Sequence, residues 1–228
     1  MITLKNVRTL EGKVQNCEIA SSLDTAVDAT HLTLLPALID PHVHFRTPGL
    51  EHKEDWEHGA KAAIYGGITT VFDMPNTLPP TITAERIDDK SALIEKQLRA
   101  AGIPLRFGLY LGADKSHFDQ IVQCKDKIVA IKVFMGSSTG NLVMDDDSSL
   151  HAVFALAAAH DLLVAVHAED EERIRERKKQ FSGVLEPKMH SEIRHRDAAM
   201  RATAKAIELA RLYGTRLYIL HCGTKEEI

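Results

Sequence analysis

From Leu35 onward the chain alternates between an apolar, β-branched run and a longer amphipathic stretch, six times over. The apolar runs are LPALIDPHVHF, TTVFDMP, PLRFGLYL, IVAIKVFMG, LLVAVHAED and RLYILHCGT. Between and after them, helical spacing of apolar residues predicts helices over 56–65, 84–101, 116–123, 148–160, 169–178 and 191–213. This alternation restricts the fold more than any other feature, because successive β–α units imply parallel strands joined by crossover helices. Thr83 and Ser148 are the expected N-caps of the second and fourth helices. Gly66-Gly67, Gly102 and Gly214 stand where a helix end calls for a left-handed residue. Six units fit an open doubly wound sheet. They also fit an incomplete (β/α)8 barrel, which needs two more units and typically about 250 residues. The chain has 228 residues, and its sixth apolar run lies just before Ile228.

The first stretch has a different texture. ITLKNVRTL, VQNCEIA and LTLLPALID are short β-like runs separated by Gly12 and Asp/Ser turns. They predict a small β domain over 1–36, followed by an α/β unit over 37–228. Composition is that of a soluble globular protein, with 44% hydrophobic and 26% charged residues. A net charge of −4 and the lack of a basic block argue against nucleic-acid binding, since RIRERKKQ sits beside EDEE and reads as a solvated helix face. No apolar run approaches the ~18 residues of a spanning helix, and no signal-peptide pattern opens the chain, so no membrane association is expected. Three cysteines without a CxxC pair fit a reduced, cytoplasmic setting.

Twelve histidines is a high count for this length, and several fall at the carboxyl ends of the apolar runs. His42 and His44 end the first run, Asp73 and Asn76 the second, His167 the fifth and His221 the sixth, with Lys132 inside the fourth. In parallel α/β folds that edge is where active sites are built. Residues i and i+2 on a strand share a face, so His42 and His44 can reach one ion together, and neutral imidazole suits Zn²⁺ and similar ions. Two exposed histidines on a polar strand end would look the same in HxH alone; His167 and His221 on later strands favour a metal.

Lys132 interrupts a strand that otherwise reads as buried. It can be a snorkelling lysine, half of a buried ion pair, a Schiff-base amine activated by burial, or an amine that has taken up CO₂ as a carbamate. A carbamate carries one negative charge on two oxygens and can bridge two cations, which the neighbouring histidines favour. Arg46, two residues past His44, suits a bidentate grip on a carboxylate, or is a surface loop arginine. Asn76 serves either its turn or a polar substrate. Asp73 is either a strand-end carboxylate of the site or a turn-former.

Taken in order, IDPHVHFRTPG, GGITTVFDMPNT, IKVFMGSSTGN, VAVHAED and LYILHCGT resemble the amidohydrolase superfamily, and within it the dihydroorotase family that uses a carboxylated lysine. The resemblance runs over nearly the whole chain; the motifs are specific together and weak singly. It implies a (β/α)8 TIM-type barrel, of which strands 1–6 are present, with part of a small N-terminal β domain. It implies two divalent metal ions, Zn²⁺ foremost, with His42 and His44 on the more buried ion, a CO₂-derived carbamate on Lys132 between the two, and His167 and His221 on the second. It assigns Arg46 to the substrate carboxylate, and places Asn76 and His44 against substrate. The implied reaction is reversible closure of N-carbamoyl-L-aspartate to dihydroorotate, a step of pyrimidine synthesis. HFR with MPNT separates this variant from allantoinases and from the hydantoinase or dihydropyrimidinase group. A homodimer and an association with aspartate transcarbamoylase are partner expectations that accompany the resemblance; the residues themselves select neither.

Some positions depart from the family pattern. Ala37 stands where Gly is usual, Thr47 where Glu is usual, and Gly223 where Ser is frequent. None is a ligand position. The family's proton-transferring aspartate follows an eighth strand in a DxAPH-like motif, and no such motif occurs in these 228 residues, so no catalytic residue is assigned. The expectation from sequence is therefore a fragment of a longer protein, unstable or inactive in isolation. A dihydroorotase-like chain that serves only as a structural partner is the alternative of another class, and the presence of all five ligand positions argues against it.

Overall fold

The computed structural model describes residues 1–138, 142–183 and 186–228. The last three residues of IKVFMGSSTGN lie outside the described residues. Two compact units divide at Leu38/Ile39, where the sequence suggested 36/37.

The first unit, Met1–Leu38, is a three-stranded sheet in the order β2-β1-β3. β1 (Ile2–Arg8) pairs antiparallel with β2 (Val14–Ile19) and parallel with β3 (Thr25–Asp28). The sequence reading missed β3 because its four residues are all exposed and give no buried alternation. LTLLPALID, read there as a strand, contributes only an isolated bridge from Thr33 to Arg8 before the next strand starts at Leu38.

Among the described residues the second unit holds six parallel strands in sequential order, curled as a half-barrel: β4 (Leu38–Val43, which starts at the boundary residue), β5 (Ile68–Asp73), β6 (Arg106–Gly112), β7 (Ala130–Phe134), β8 (Leu163–His167) and β9 (Arg216–Ile219). The intervening helices are α1 (Trp56–Tyr65), α2 (Ala84–Ala101), α3 (Phe118–Cys124), α4 (Asp147–Ala159), α5 (Glu171–Gln180), α6 (Met189–Ile193) and α7 (Arg196–Tyr213).

Strand parity divides this unit into two layers. Val71, Leu109, Leu111, Ile131, Val133, Val164 and Val166 join the large core shared with the helices. The alternate residues Met74, Tyr110, Ala130, Ala165 and Leu220 form a second, smaller cluster on the other face of the sheet. Lys132 and His167 have the parity of this second face, as do His42 and His44 on β4 and its extension.

The caps explain most helix starts. Thr83 caps α2 as expected, accepting a bond from Arg86 N–H at 3.3 Å. Ser148 does not cap α4. Asp146 does, accepting Ser149 N–H at 2.8 Å and the Ser148 hydroxyl at 2.7 Å, because a carboxylate two residues upstream offers the stronger acceptor. Of the Gly66-Gly67 pair only Gly67 is left-handed, with φ +79°. The single helix expected over 191–213 is two, α6 and α7, parted at Arg194.

Candidate metal centre at the strand ends

Four histidines meet at the carboxyl edge of the half-barrel. Ring centroids lie 5.2 Å apart for His42–His44, 5.5 Å for His42–His221 and 4.9 Å for His167–His221. Parity alone places three of them. His221 follows Leu220, an inner-layer residue, and so would face the helices if β9 ran on. Instead its backbone is left-handed, φ 41°, uncommon for a side chain with a Cβ, and the ring comes to His167 and His42. Arg46 is likewise left-handed, with φ 62°.

Burial is the main electrostatic influence here. It pushes the His42 imidazole down to about 4 and His44 to about 3, with Lys132 and Arg46 among the charges adding to the effect, and it lowers His221 too. Neutral imidazoles at neutral pH are what a metal requires. Lys132 is 1% exposed, and among the described residues no carboxylate pairs with it; its Nζ sits 4.6 Å from the Phe134 ring centroid. Burial takes its ammonium down to about 7, so much of the amine is neutral at physiological pH.

The residues fit the metal centre implied by the sequence in their chemistry. His167 Nδ1 and His221 Nε2 are 3.1 Å apart. That is close to the roughly 3.3 Å between two nitrogens bound to one tetrahedral zinc at ~2.05 Å. Even so, among the described residues no three His, Cys, Asp or Glu side chains form a ready cage. The rings make a chain, and the fifth donor of the expected set is a lysine that must first become an oxygen ligand.

The second-strand residues separate. Asn76 is buried, and it lies close enough to His44 to influence that imidazole. Asp73 takes no part in the histidine cluster, and it is not a turn-former either. It lies on the helix-facing side of β5, accepts Phe45 N–H at 2.8 Å on Oδ1, and pairs with Lys90 Nζ of α2 at 2.6 Å on Oδ2. Burial pushes its carboxyl up, and the Lys90 charge and the Phe45 bond act against that. Lys90 also donates to Met74 O at 3.0 Å. This pair fixes the backbone between His44 and Arg46. Phe45 in turn packs on Trp56 of α1, ring centroids 4.7 Å apart. Arg46 Nη1 is buried and has no hydrogen-bond partner among the described residues.

Sequence reasoning missed Lys90, Glu169 and Arg194. Glu169 Oε2 accepts His167 Nε2 at 2.6 Å and also an Arg194 guanidinium N–H, while Arg194 donates to Ser137 O at 2.6 Å. His167 followed two residues later by an acid in VHAED was the available signal for Glu169. Arg194 had none, since it comes from a helix break. A cavity of about 630 Å³ opens here, lined by Ser138, His167, Glu169, Arg194, His221 and Thr224 among others.

A parallel α/β half-barrel with its polar cluster at the strand ends defines a barrel of the metal-hydrolase kind. The chain belongs to the amidohydrolase family, whose sequence profile matches residues 33–215. It is 35% identical to a dihydroorotase of Halobacterium salinarum, over 86% of this chain and 44% of that protein. An allantoinase of Deinococcus radiodurans is 32% identical over 91% of this chain and 46% of its own length. Among solved structures, the L-hydantoinase (dihydropyrimidinase) of Arthrobacter aurescens superposes with a TM-score of 0.82 at 25% identity, covering 99% of this chain and 54% of that one. The chain thus spans about half the length of the relatives it matches.

Proposed function

We propose that the protein is a metal-dependent cyclic amidase of the dihydroorotase kind, interconverting N-carbamoyl-L-aspartate and dihydroorotate. The observation that carries this is Arg46. A buried guanidinium nitrogen without a partner costs free energy, and a substrate carboxylate would recover it in a charge-assisted bond. Arg46 stands beside His44, and its charge acts on that imidazole, so the anion-binding group adjoins the proposed metal ligands. Dihydroorotate offers a carboxylate at this place; hydantoins and allantoin do not.

In this reading His42 and His44 would hold one ion and His167 and His221 the other, and Lys132, as a carbamate, would supply the oxygen ligand they share. Bound divalent ions, Zn²⁺ foremost, would polarise the ring carbonyl and make water a nucleophile near neutral pH. The chain's own contribution is placement. Arg46 and Asn76 orient the ring, the Asp73–Lys90 pair fixes the loop that carries Arg46, and burial keeps the His42, His44 and His221 imidazoles neutral.

Arg46→Ala is expected to lower kcat/KM for dihydroorotate by roughly 10- to 100-fold, the worth of a hydrogen bond to a charged group, with metal content unchanged. Hydantoin turnover, if present, should not fall. Equal losses on both substrates would remove the carboxylate role. The allantoinase likeness supports a second reading, another cyclic amidase, which measurable allantoin or hydantoin turnover without dihydroorotate turnover would favour.

The same proposal includes a cytoplasmic setting, a homodimer and an association with aspartate transcarbamoylase. The three cysteines are free, as a reducing compartment keeps them, and no helix among the described residues is long and apolar enough to cross a membrane.

A further inference from the structure

We propose that Glu169 and Arg194 are a positioning pair that holds the His167 ring with Nδ1 turned to the site and its proton on Nε2. The inference rests on the metal-centre reading above and adds two residues to it. A carboxylate only accepts, so the 2.6 Å contact between Glu169 Oε2 and His167 Nε2 puts the imidazole proton on Nε2. Nδ1 is then the bare nitrogen, and it is the one that faces His221 Nε2 at 3.1 Å. A ring flip would exchange the two and leave Glu169 facing a lone pair, so the carboxylate selects both the tautomer and the orientation.

Glu169 is itself held from two other directions. The Arg194 guanidinium donates to the same Oε2 and, through its other arm, to Ser137 O at 2.6 Å. Ser137 N–H donates to Glu171 Oε2 at 2.6 Å. Gly136, at the end of the lysine-bearing strand, lies so close that a Cβ there would stand 2.6 Å from Glu169 O. Gly136 and Ser137, after β7, and Glu169 and Glu171, after β8, are thereby tied together beside His167. The break between α6 and α7 delivers the arginine: Arg194 is the residue after Ile193, and α7 starts again at Arg196.

The test uses the full chain, ¹⁵N-labelled at histidine. In the metal-free protein, long-range ¹H–¹⁵N spectra should show His167 as a single Nε2–H tautomer. Glu169→Ala should give a tautomer mixture and weaken Zn²⁺ binding by about 10- to 100-fold, the usual loss when a ligand's outer partner is removed. Glu169→Gln keeps an acceptor oxygen and should restore the tautomer and most of the affinity. An unchanged tautomer and affinity in Glu169→Ala overturns the inference. So does a Gln variant as damaged as the Ala one, which would make Glu169 a ligand in its own right. If Glu169→Ala does not fold, Glu169→Leu, which also removes the acceptor but fills its space, carries the same expectation and the same refutation. Arg194→Ala leaves the carboxylate in place and should keep the tautomer while weakening Zn²⁺ binding, and unchanged binding there removes Arg194 from the pair. Neither readout needs turnover. A protein that passes both but hydrolyses no cyclic amide refutes the proposed function and leaves the pair standing.

Discussion

Replacing Lys132 with alanine should remove bound metal and activity together, with a loss of at least roughly 10²-fold in turnover. A metal's charge stabilisation is worth several kcal/mol, and each 1.36 kcal/mol is a factor of ten. Metal analysis and turnover on the same preparation check it; a variant that keeps both rejects the bridging carbamate. The pH dependence follows from burial. With its amine brought down to about 7, Lys132 should take up CO₂ more readily as pH rises from 6 to 8 at constant dissolved CO₂, because only the neutral amine reacts. Intact-mass measurement of the CO₂ adduct on metal-free protein reads this directly. Stability has a matching sign. The folded value lies below the ordinary 10.5, so the unfolded chain binds the extra proton between pH 7 and 10.5. The metal-free protein should therefore gain stability from Lys132 as pH rises through that window, and the penalty is full below about 7. Lys132→Met should be more stable than the metal-free wild type at pH 6, by a few kcal/mol at most, with the gap closing towards pH 10. A gap that does not change with pH removes the buried-amine explanation.

Lys90→Met should be the most damaging change to stability, at about 3–5 kcal/mol, since it leaves Asp73 buried and unpaired. Lys90 and Asp73 are 2% and 0% exposed, so water cannot compensate. For a chain of this size that corresponds to a fall of roughly 6–20 °C in Tm. Replacing both partners by apolar residues should recover only part of the loss, because Asp73 also accepts Phe45 N–H, and that donor would be orphaned at about 1–3 kcal/mol. Urea unfolding of the single and double variants separates the two terms. A Lys90→Met variant within about 1 kcal/mol of wild type would show the pair to be dispensable. The pair also holds Phe45 between His44 and Arg46. The double variant should therefore bind substrate less well even where it is fully folded.

The sequence was enough to locate the strand-end edge, to gather His42, His44, Lys132, His167 and His221 along it, and to put His42 and His44 on one face of their strand. Those conclusions rest on period and parity, which are local properties of strands. The bounds of α2 were readable for the same kind of reason: Thr83 ahead of the amphipathic run and Gly102 after it. The same parity puts Asp73 on the opposite face, towards α2, but its salt-bridge partner lies 17 residues away, and no local pattern identifies Lys90.

By itself, then, the sequence determined the β–α alternation, the residue types at the strand ends and the absence of a membrane-spanning run. Tertiary structure alone decided three things. A left-handed backbone at His221 reverses the face its strand would have given it. A break before α7 brings Arg194 to Glu169, and Glu169 to His167. Burial gives His42, His44 and Lys132 acid–base properties that their residue types do not have in water. The reason is common to all three. Parity and capping are set by neighbours in the chain, whereas solvent exclusion and ion pairing are set by neighbours in space.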